Sequence, residues 1–231
     1  MNCPLCNTRK ARRSCPAAQA EICPQCCAEQ REEKLDCPLS CPFLAEARKH
    51  EKVVEVPAAQ VPHSEVRLTD DFLNRNDMLM RYVMVCVGVA AMSTQGATDA
   101  DVREALDSMI QTLKTADAGL IYETKPVNPF AAAIQEKANA QIDRLRNEIA
   151  ANSGGAALRD KDVLGVLVFL ARVALSLNNG RRKGRAFLSM LHDRLPLDLA
   201  AAQQPGEATA DGGPGGEQQP AASPSGLIIT P

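Results

Sequence analysis

Apolar residues recur at intervals of three and four through the middle of the chain, which is the periodicity of an amphipathic α-helix. The clearest stripe follows Thr98 and consists of Val102, Ala105, Leu106, Met109, Ile110 and Leu113. Thr98 is a favoured N-cap residue, and Gly119 is a favoured residue just past a helix C-terminus. The pattern therefore predicts one helix between these two positions.

The same periodicity predicts four further helices, over residues 69–92, 129–151, 160–177 and 185–195. Thr69 and the Asn128-Pro129 pair supply N-cap and first-turn signals for two of them. The segment 160–177 and the second half of 69–92 are apolar on most faces, and helices of that kind lie inside a protein. We expect these two segments at the centre of a bundle of about five helices over residues 69–200.

The flanking segments differ in character from the bundle. Residues 1–45 are rich in cysteine and poor in other apolar residues, and so small a unit needs a metal or another cross-link to fold. Residues 46–68 begin with a charged stretch, predicted to be a helical extension, and continue as a proline-containing linker. Residues 201–231 are rich in Pro, Gly, Gln and Ala and are predicted to be a disordered tail. The predicted fold class is therefore mostly α.

The composition is that of an ordinary soluble protein, with 45% apolar and 23% charged residues. Aromatic residues make up only 3%, so the core is expected to be aliphatic. The net charge of −2 gives no global electrostatic reason to expect nucleic-acid binding. The charge is uneven, at +2 over residues 1–52, −5 over 53–126 and +4 over 127–200. The acidic middle and the basic second half could pair with each other or serve different partners.

The chain shows no sequence signal for secretion or membrane insertion. No apolar stretch precedes Cys3, which argues against a signal peptide and a lipoprotein anchor. The longest apolar runs, Tyr82–Met92 and Val163–Ala171, are too short to span a bilayer. We therefore predict a cytoplasmic protein, where thiols stay reduced and a dense cysteine cluster binds metal more often than it forms disulfides.

Eight of the nine cysteines fall within the first 41 residues, at the spacings of metal ligands. They are Cys3, Cys6, Cys15, Cys23, Cys26, Cys27, Cys37 and Cys41. Two pairs have the form CxxC and one has the form CxxxC, each with a proline after its first cysteine. Proline presets the backbone for a turn, and a short turn lets both thiolates of a pair face one ion. Eight thiolates suffice for two tetrahedral Zn²⁺ sites, and closed sets of four cysteines are typical of structural zinc.

The division of these ligands between the ions is open. In an interleaved scheme, Cys3, Cys6, Cys23 and Cys26 bind one ion and Cys15, Cys27, Cys37 and Cys41 bind the other. The adjacent pair Cys26-Cys27 would then direct its thiolates to different sites, as successive residues of an extended segment do. In the rival scheme only the first set binds zinc and the other thiols are free or partly organised. His50 could also replace one thiol of the second set.

The interleaved spacing over residues 3–41 resembles the cross-brace zinc modules, such as B-box and RING-type domains. In those families the first and third ligand pairs share one ion, and the second and fourth share the other. This chain departs from them because it has no histidine within the cysteine cluster and because its second pair, Cys15 and Cys27, is split. The layout of the whole chain is also similar to that of uncharacterised bacterial cysteine-rich proteins. The cross-brace resemblance implies an interaction module rather than an enzyme.

Zinc catalysis is not expected. A catalytic zinc keeps three protein ligands and an open position, whereas two sets of four thiolates leave none. The three histidines, His50, His63 and His192, form no HxxxH or HxE pattern. We therefore predict a non-enzymatic adaptor that binds protein. A third hypothesis is a redox sensor, because clustered thiolates can release zinc when they are oxidised.

Two basic runs are candidate phosphate contacts and support the second hypothesis, a nucleic-acid-associated regulator. They consist of Arg9, Lys10, Arg12 and Arg13, and of Arg181, Arg182, Lys183 and Arg185. The second run leads into a helix N-terminus, which favours anions. No aromatic residue lies in either run, so base stacking is unsupported. The alternative is that both runs are solvated loops whose charge balances that of the acidic middle segment.

The sequence does not predict an oligomeric state.

Overall fold

The structure is a computed structural model that describes residues 1–152 and 157–195. Its N-terminal part contains β1 (Arg13–Cys15), β2 (Ala20–Ile22), α1 (Pro24–Gln30) and α2 (Pro42–Arg48). A 3₁₀ turn (Ala58–Gln60) follows. The remaining helices are α3 (Asp70–Arg75), α4 (Asp77–Met92), α5 (Asp99–Asp117), α6 (Pro129–Asn152), α7 (Asp160–Ser176) and α8 (Ala186–Arg194).

The mostly α fold class is confirmed, with a small pair of strands at the cysteine-rich end. Helices α5 to α8 each lie within one or two residues of their predicted bounds. The predicted capping is present as well: Thr69 Oγ1 accepts a hydrogen bond from the Phe72 N–H at 3.1 Å, and the Asp101 carboxylate accepts one from the Thr98 N–H at 2.7 Å. The predicted disordered tail, 201–231, lies outside the described residues.

The helix predicted over residues 69–92 is broken at Asn76 into α3 and α4. Asn76 leaves helical geometry, with φ −107° and ψ 17°, and its side-chain amide donates to the Phe72 carbonyl at 3.0 Å. Phe72 packs over Gly165 of α7 so closely that a Cβ at Gly165 would lie 2.9 Å from its Cε1 atom. The break therefore lets the short α3 place an aromatic ring on the buried helix α7.

The core of the bundle lies among α4, α5, α6 and α7, with α8 packed against α4. Its largest fully buried side chains are Leu106, Ile110, Ile134, Leu167, Leu170, Phe187, Leu191, Val83 and Val87. The core is aliphatic as the composition predicts, because Phe187 is the one aromatic residue in that set. No helix in the described part of the chain combines the length and the apolar character needed to span a bilayer.

The segment between α2 and α3 runs over the bundle surface. Arg172 of α7 donates to the backbone carbonyls of Pro62, His63 and Val66 at 3.1, 2.7 and 2.9 Å. The His63 imidazole Nε2 lies 3.0 Å from the Asp107 carboxylate of α5. The N-terminal part of the chain is thus tied to α5 and α7 before the first bundle helix begins.

Candidate metal centre

Cys3, Cys6, Cys23 and Cys26 come together at one point. Their four Sγ atoms all lie within 4.8 Å of one another, and the Sγ atoms of Cys6 and Cys23 are 4.0 Å apart. In a tetrahedral site with Zn–S bonds of about 2.3 Å, the sulfur atoms lie about 3.8 Å apart. The set is therefore compatible with one zinc ion at its centre.

Two turns position these ligands. At the first, the backbone N–H groups of Cys6 and Asn7 donate to the Cys3 carbonyl at 3.3 and 2.7 Å, and Asn7 adopts φ 55°. At the second, Cys23 is the N-cap of α1, Pro24 follows it, and the Cys23 Sγ accepts the Cys26 N–H at 3.4 Å. N–H donors and a helix N-terminus stabilise the thiolate, which is the form that binds metal.

The pKa values of two cysteines in the first set are shifted in opposite directions. Hydrogen bonds from the Thr8 hydroxyl and from the backbone of Thr8 and Arg9 lower the pKa of Cys6 to about 5. Burial raises the pKa of Cys26 to about 12. A metal ion that binds all four sulfur atoms must therefore displace protons, and its affinity depends on pH.

Arg9, a predicted phosphate contact, lies beside the first set. Its guanidinium donates to the Cys26 Sγ at 3.8 Å and to the Gln25 side-chain oxygen at 2.6 Å. Its hydrogen bond to Cys23 is the largest of the interactions that raise the Arg9 pKa above its usual range. Four thiolates around Zn²⁺ carry a net charge of −2, so a guanidinium at this position offsets part of it.

Cys15, Cys27, Cys37 and Cys41 are all buried and are among the residues that line one small cavity of about 10 Å³. A cavity of that size holds about one water-sized sphere. Within residues 1–152 and 157–195, however, only the first set has all of its Sγ atoms within 4.8 Å of one another. The Sγ atoms of the first set are therefore close together, whereas those of the second set lie farther apart around a small cavity.

Arg31 lies beside this second set and lines the same cavity. Its Nε atom is buried and donates to no acceptor in the described part of the chain. Burial raises the pKa of Cys37, and its neighbours Cys41 and Cys15 raise it further. An Arg31 side chain with a buried, unpaired N–H donor therefore lines the same cavity as the four thiols.

The interleaved scheme assigns Cys26 and Cys27 to different sets. The structure separates their side chains by helix geometry rather than by the extended backbone that the sequence suggested. Both lie in α1, where successive side chains point about 100° apart, and not in an extended segment. His50, the alternative ligand, does not line the cavity of the second set. Its side chain is 78% exposed and lies 3.7 Å from the Glu46 carboxylate.

The other members of the first basic run lie around the strands. Lys10 and Arg12 are exposed, and the Arg12 N–H donates to the Ile22 carbonyl at 3.0 Å. The Arg13 guanidinium lies over the Phe43 ring, 4.8 Å from its centroid. Lys10 and Arg12 therefore keep their cationic side chains at the surface.

The second basic run contacts the cysteine-rich module. Arg181 donates to the carbonyls of Arg31 and Ala28, and the Lys183 ammonium lies 3.5 Å from the Lys34 carbonyl. Arg185 donates to the Cys37 carbonyl at 3.0 Å and pairs with Asp36 at 2.6 Å. Arg182 is exposed. Three of the four basic residues in this second run therefore contact the module and help hold it against the bundle.

Glu32 lies at the centre of this contact, a position that no sequence motif predicts. Its side chain is fully buried and accepts hydrogen bonds from Arg48 at 2.7 Å, from the Asn179 amide at 2.9 Å and from the Arg185 N–H at 2.9 Å. Its carbonyl accepts the Lys183 N–H at 2.7 Å. The charged run around Glu32 in the sequence is typical of an exposed loop, so no sequence signal indicated its burial.

The first cysteine set thus has the donor type and compactness of a zinc-binding module, and the second basic run serves the packing of that module. Comparison with family models, with curated proteins and with solved structures found no match to this chain.

Proposed function

We propose that this chain is a cytoplasmic, non-enzymatic adaptor whose N-terminal module is held together by two structural zinc ions. The observation that carries the proposal is the compact group of Cys3, Cys6, Cys23 and Cys26, with all Sγ atoms within 4.8 Å of one another. Four thiolates close the coordination sphere of Zn²⁺ and leave no position for a substrate. The ion then serves folding rather than chemistry.

The second ion binds Cys15, Cys27, Cys37 and Cys41. These four thiols line a cavity of about one atom's volume, and the Arg31 Nε–H lies buried there without an acceptor. An unpaired buried donor costs about 1–3 kcal/mol. If zinc binding draws one of these thiolates within hydrogen-bond distance of Arg31, this N–H gains a charge-assisted acceptor, as Arg9 has at the first set. The interleaved ligand order that results resembles the cross-brace modules.

The contacts of the basic runs favour protein binding over nucleic-acid binding. Arg181, Lys183 and Arg185 already donate to carbonyl and carboxylate oxygens of the module. A phosphate backbone would have to compete with these partners. The exposed cations that remain, Lys10, Arg12 and Arg182, are few for a nucleic-acid surface.

Elemental analysis of protein purified without chelator tests the metal proposal, with two zinc ions per chain as the expected result. Cys3→Ser and Cys27→Ser should each lower the content to about one ion, because each removes a ligand from a different set. Cys86→Ala is the matched control, since Cys86 is buried in the bundle and the variant should retain two ions. A wild-type content of one ion would contradict the second site, and a content of zero would contradict both.

A further inference from the structure

Five large apolar side chains lie exposed within residues 120–130, at the connection between α5 and α6. They are Leu120, Ile121, Tyr122, Val127 and Phe130, with exposed fractions of 62%, 106%, 68%, 98% and 43%. We call this set the Leu120 patch. Single exposed apolar residues are normal, but several on one short segment mark an interaction surface.

The backbone beneath the Leu120 patch is tied down. The Leu120 N–H donates to the Thr115 carbonyl at 2.9 Å. The Thr124 N–H donates to the Thr112 hydroxyl at 3.0 Å. These two bonds tie the backbone to α5 on either side of Ile121 and Tyr122, which reduces the ordering that a partner of these side chains has to impose.

A groove of about 360 Å³ is lined by residues 123, 125 and 126 of the same connection and by one face of α6. Its lining includes three carboxylates, Glu123, Glu136 and Asp143, and one ammonium, Lys125, which pairs with Glu123 at 3.3 Å. We call it the acidic groove. Because its charged side chains sum to −2, it favours a cationic partner.

Gln135 supplies an independent sign of an unfilled site in the acidic groove. Its side chain is 2% exposed and lines the groove, and its amide nitrogen donates to the Thr124 carbonyl at 2.8 Å. A carbonyl only accepts hydrogen bonds, so the amide nitrogen must face Thr124. The amide oxygen is then left buried without a donor in the described part of the chain. A donor that displaces the groups covering this oxygen from the groove would satisfy it.

We propose that the Leu120 patch and the acidic groove together form the docking surface for a protein segment that carries both apolar and basic side chains. Apolar residues of the partner cover the patch, and lysine or arginine side chains enter the groove. A second copy of this chain fits less well, because a two-fold contact here would bring two acidic grooves together. The inference rests on the proposed adaptor role and locates its binding face.

Fluorescence anisotropy with a synthetic peptide of alternating Leu and Lys tests this surface. We expect the wild-type chain to bind it, and Glu136→Lys and Ile121→Asp each to weaken binding by about tenfold or more. Glu148→Lys is the matched control, since it makes the same charge change on α6, about 18 Å from Glu136 along the helix axis, and should bind like wild type. A peptide with Glu in place of Lys should not bind.

Absence of binding to the wild-type chain, or equal weakening by Glu136→Lys and Glu148→Lys, would overturn the inference. Self-association of the wild type that is lost in Ile121→Asp, measured by analytical ultracentrifugation, would assign the patch to a second copy instead. Zinc content of the same preparations separates this test from the metal proposal. A variant that keeps two ions per chain and loses peptide affinity supports the surface, whereas a low zinc content in wild type contradicts the metal sites alone.

Discussion

The cysteine-rich module and the helical bundle are held together by different means. The bundle buries a contiguous aliphatic core drawn from five helices. The buried set of the module consists largely of cysteines, with Ile22, Leu35 and Leu44 as its main other apolar side chains. So small an apolar set does not offset the conformational entropy of the chain without cross-links. Hydrophobic burial thus stabilises the bundle, whereas we propose that metal stabilises the module.

Removal of metal should produce the largest difference in stability between the module and the bundle. We expect an excess of EDTA to unfold residues 1–45 and to leave the bundle helices largely intact, because binding of structural zinc is worth on the order of 10 kcal/mol. Two-dimensional amide NMR spectra with and without chelator would show this as the collapse of module signals alone. Retention of dispersed module signals in EDTA would show that its own core suffices.

The contact between the regions should depend on Glu32. Glu32→Gln removes the charge that faces the buried Arg48 guanidinium, and loss of one partner of a buried pair costs about 3–5 kcal/mol. We expect a decrease of that order in the free energy of unfolding, measured by urea denaturation of the zinc-loaded protein. The neighbouring Glu33→Gln is the control. Equal stability of the two variants would mean that Glu32 does not hold the module on the bundle.

A smaller effect is expected from pH at Asp99, on the bundle side of the same contact. Its buried carboxylate accepts the Phe187 and Leu188 N–H groups, each at 2.9 Å. Burial raises its pKa from 3.8 to about 6. The folded state therefore binds this proton more tightly than the unfolded state does. The stability that this proton contributes is present below about pH 4 and is lost as the pH rises through about 6.

The size of this contribution is at most about 3 kcal/mol, at about 1.4 kcal/mol for each pKa unit. Asp99→Asn should therefore show a flatter dependence of unfolding free energy on pH between 4 and 6 than wild type, as measured by denaturant titration at each pH. Parallel curves for the two proteins would contradict the raised pKa.

The bundle was largely predictable from the sequence because its signals are local. Stripes at helical spacing and caps such as Thr69 and Thr98 depend on neighbouring residues, and the structure follows them. The break at Asn76 was not predictable, since it depends on the contact between Phe72 and a glycine more than 90 residues away. Long-range packing of this kind leaves no periodic signal in the chain.

The grouping of four cysteines was predictable from the sequence, but their surroundings were not. Cysteine spacing indicated Cys3, Cys6, Cys23 and Cys26, which the structure brings together. The contacts of the second basic run could not be inferred, because the charge of an arginine does not indicate whether its guanidinium binds a phosphate, water or a backbone carbonyl. Glu32 is the clearest case, since its burial depends on groups about 150 residues away along the chain.

We propose that two interleaved sets of four thiolates each hold one ion. Cadmium-113 NMR of the cadmium-substituted full chain distinguishes two sites from one. We expect two resonances in the tetrathiolate region, one lost in Cys3→Ser and the other lost in Cys27→Ser, with both retained in Cys86→Ala. A single tetrathiolate resonance, or loss of the same resonance in both serine variants, would contradict it.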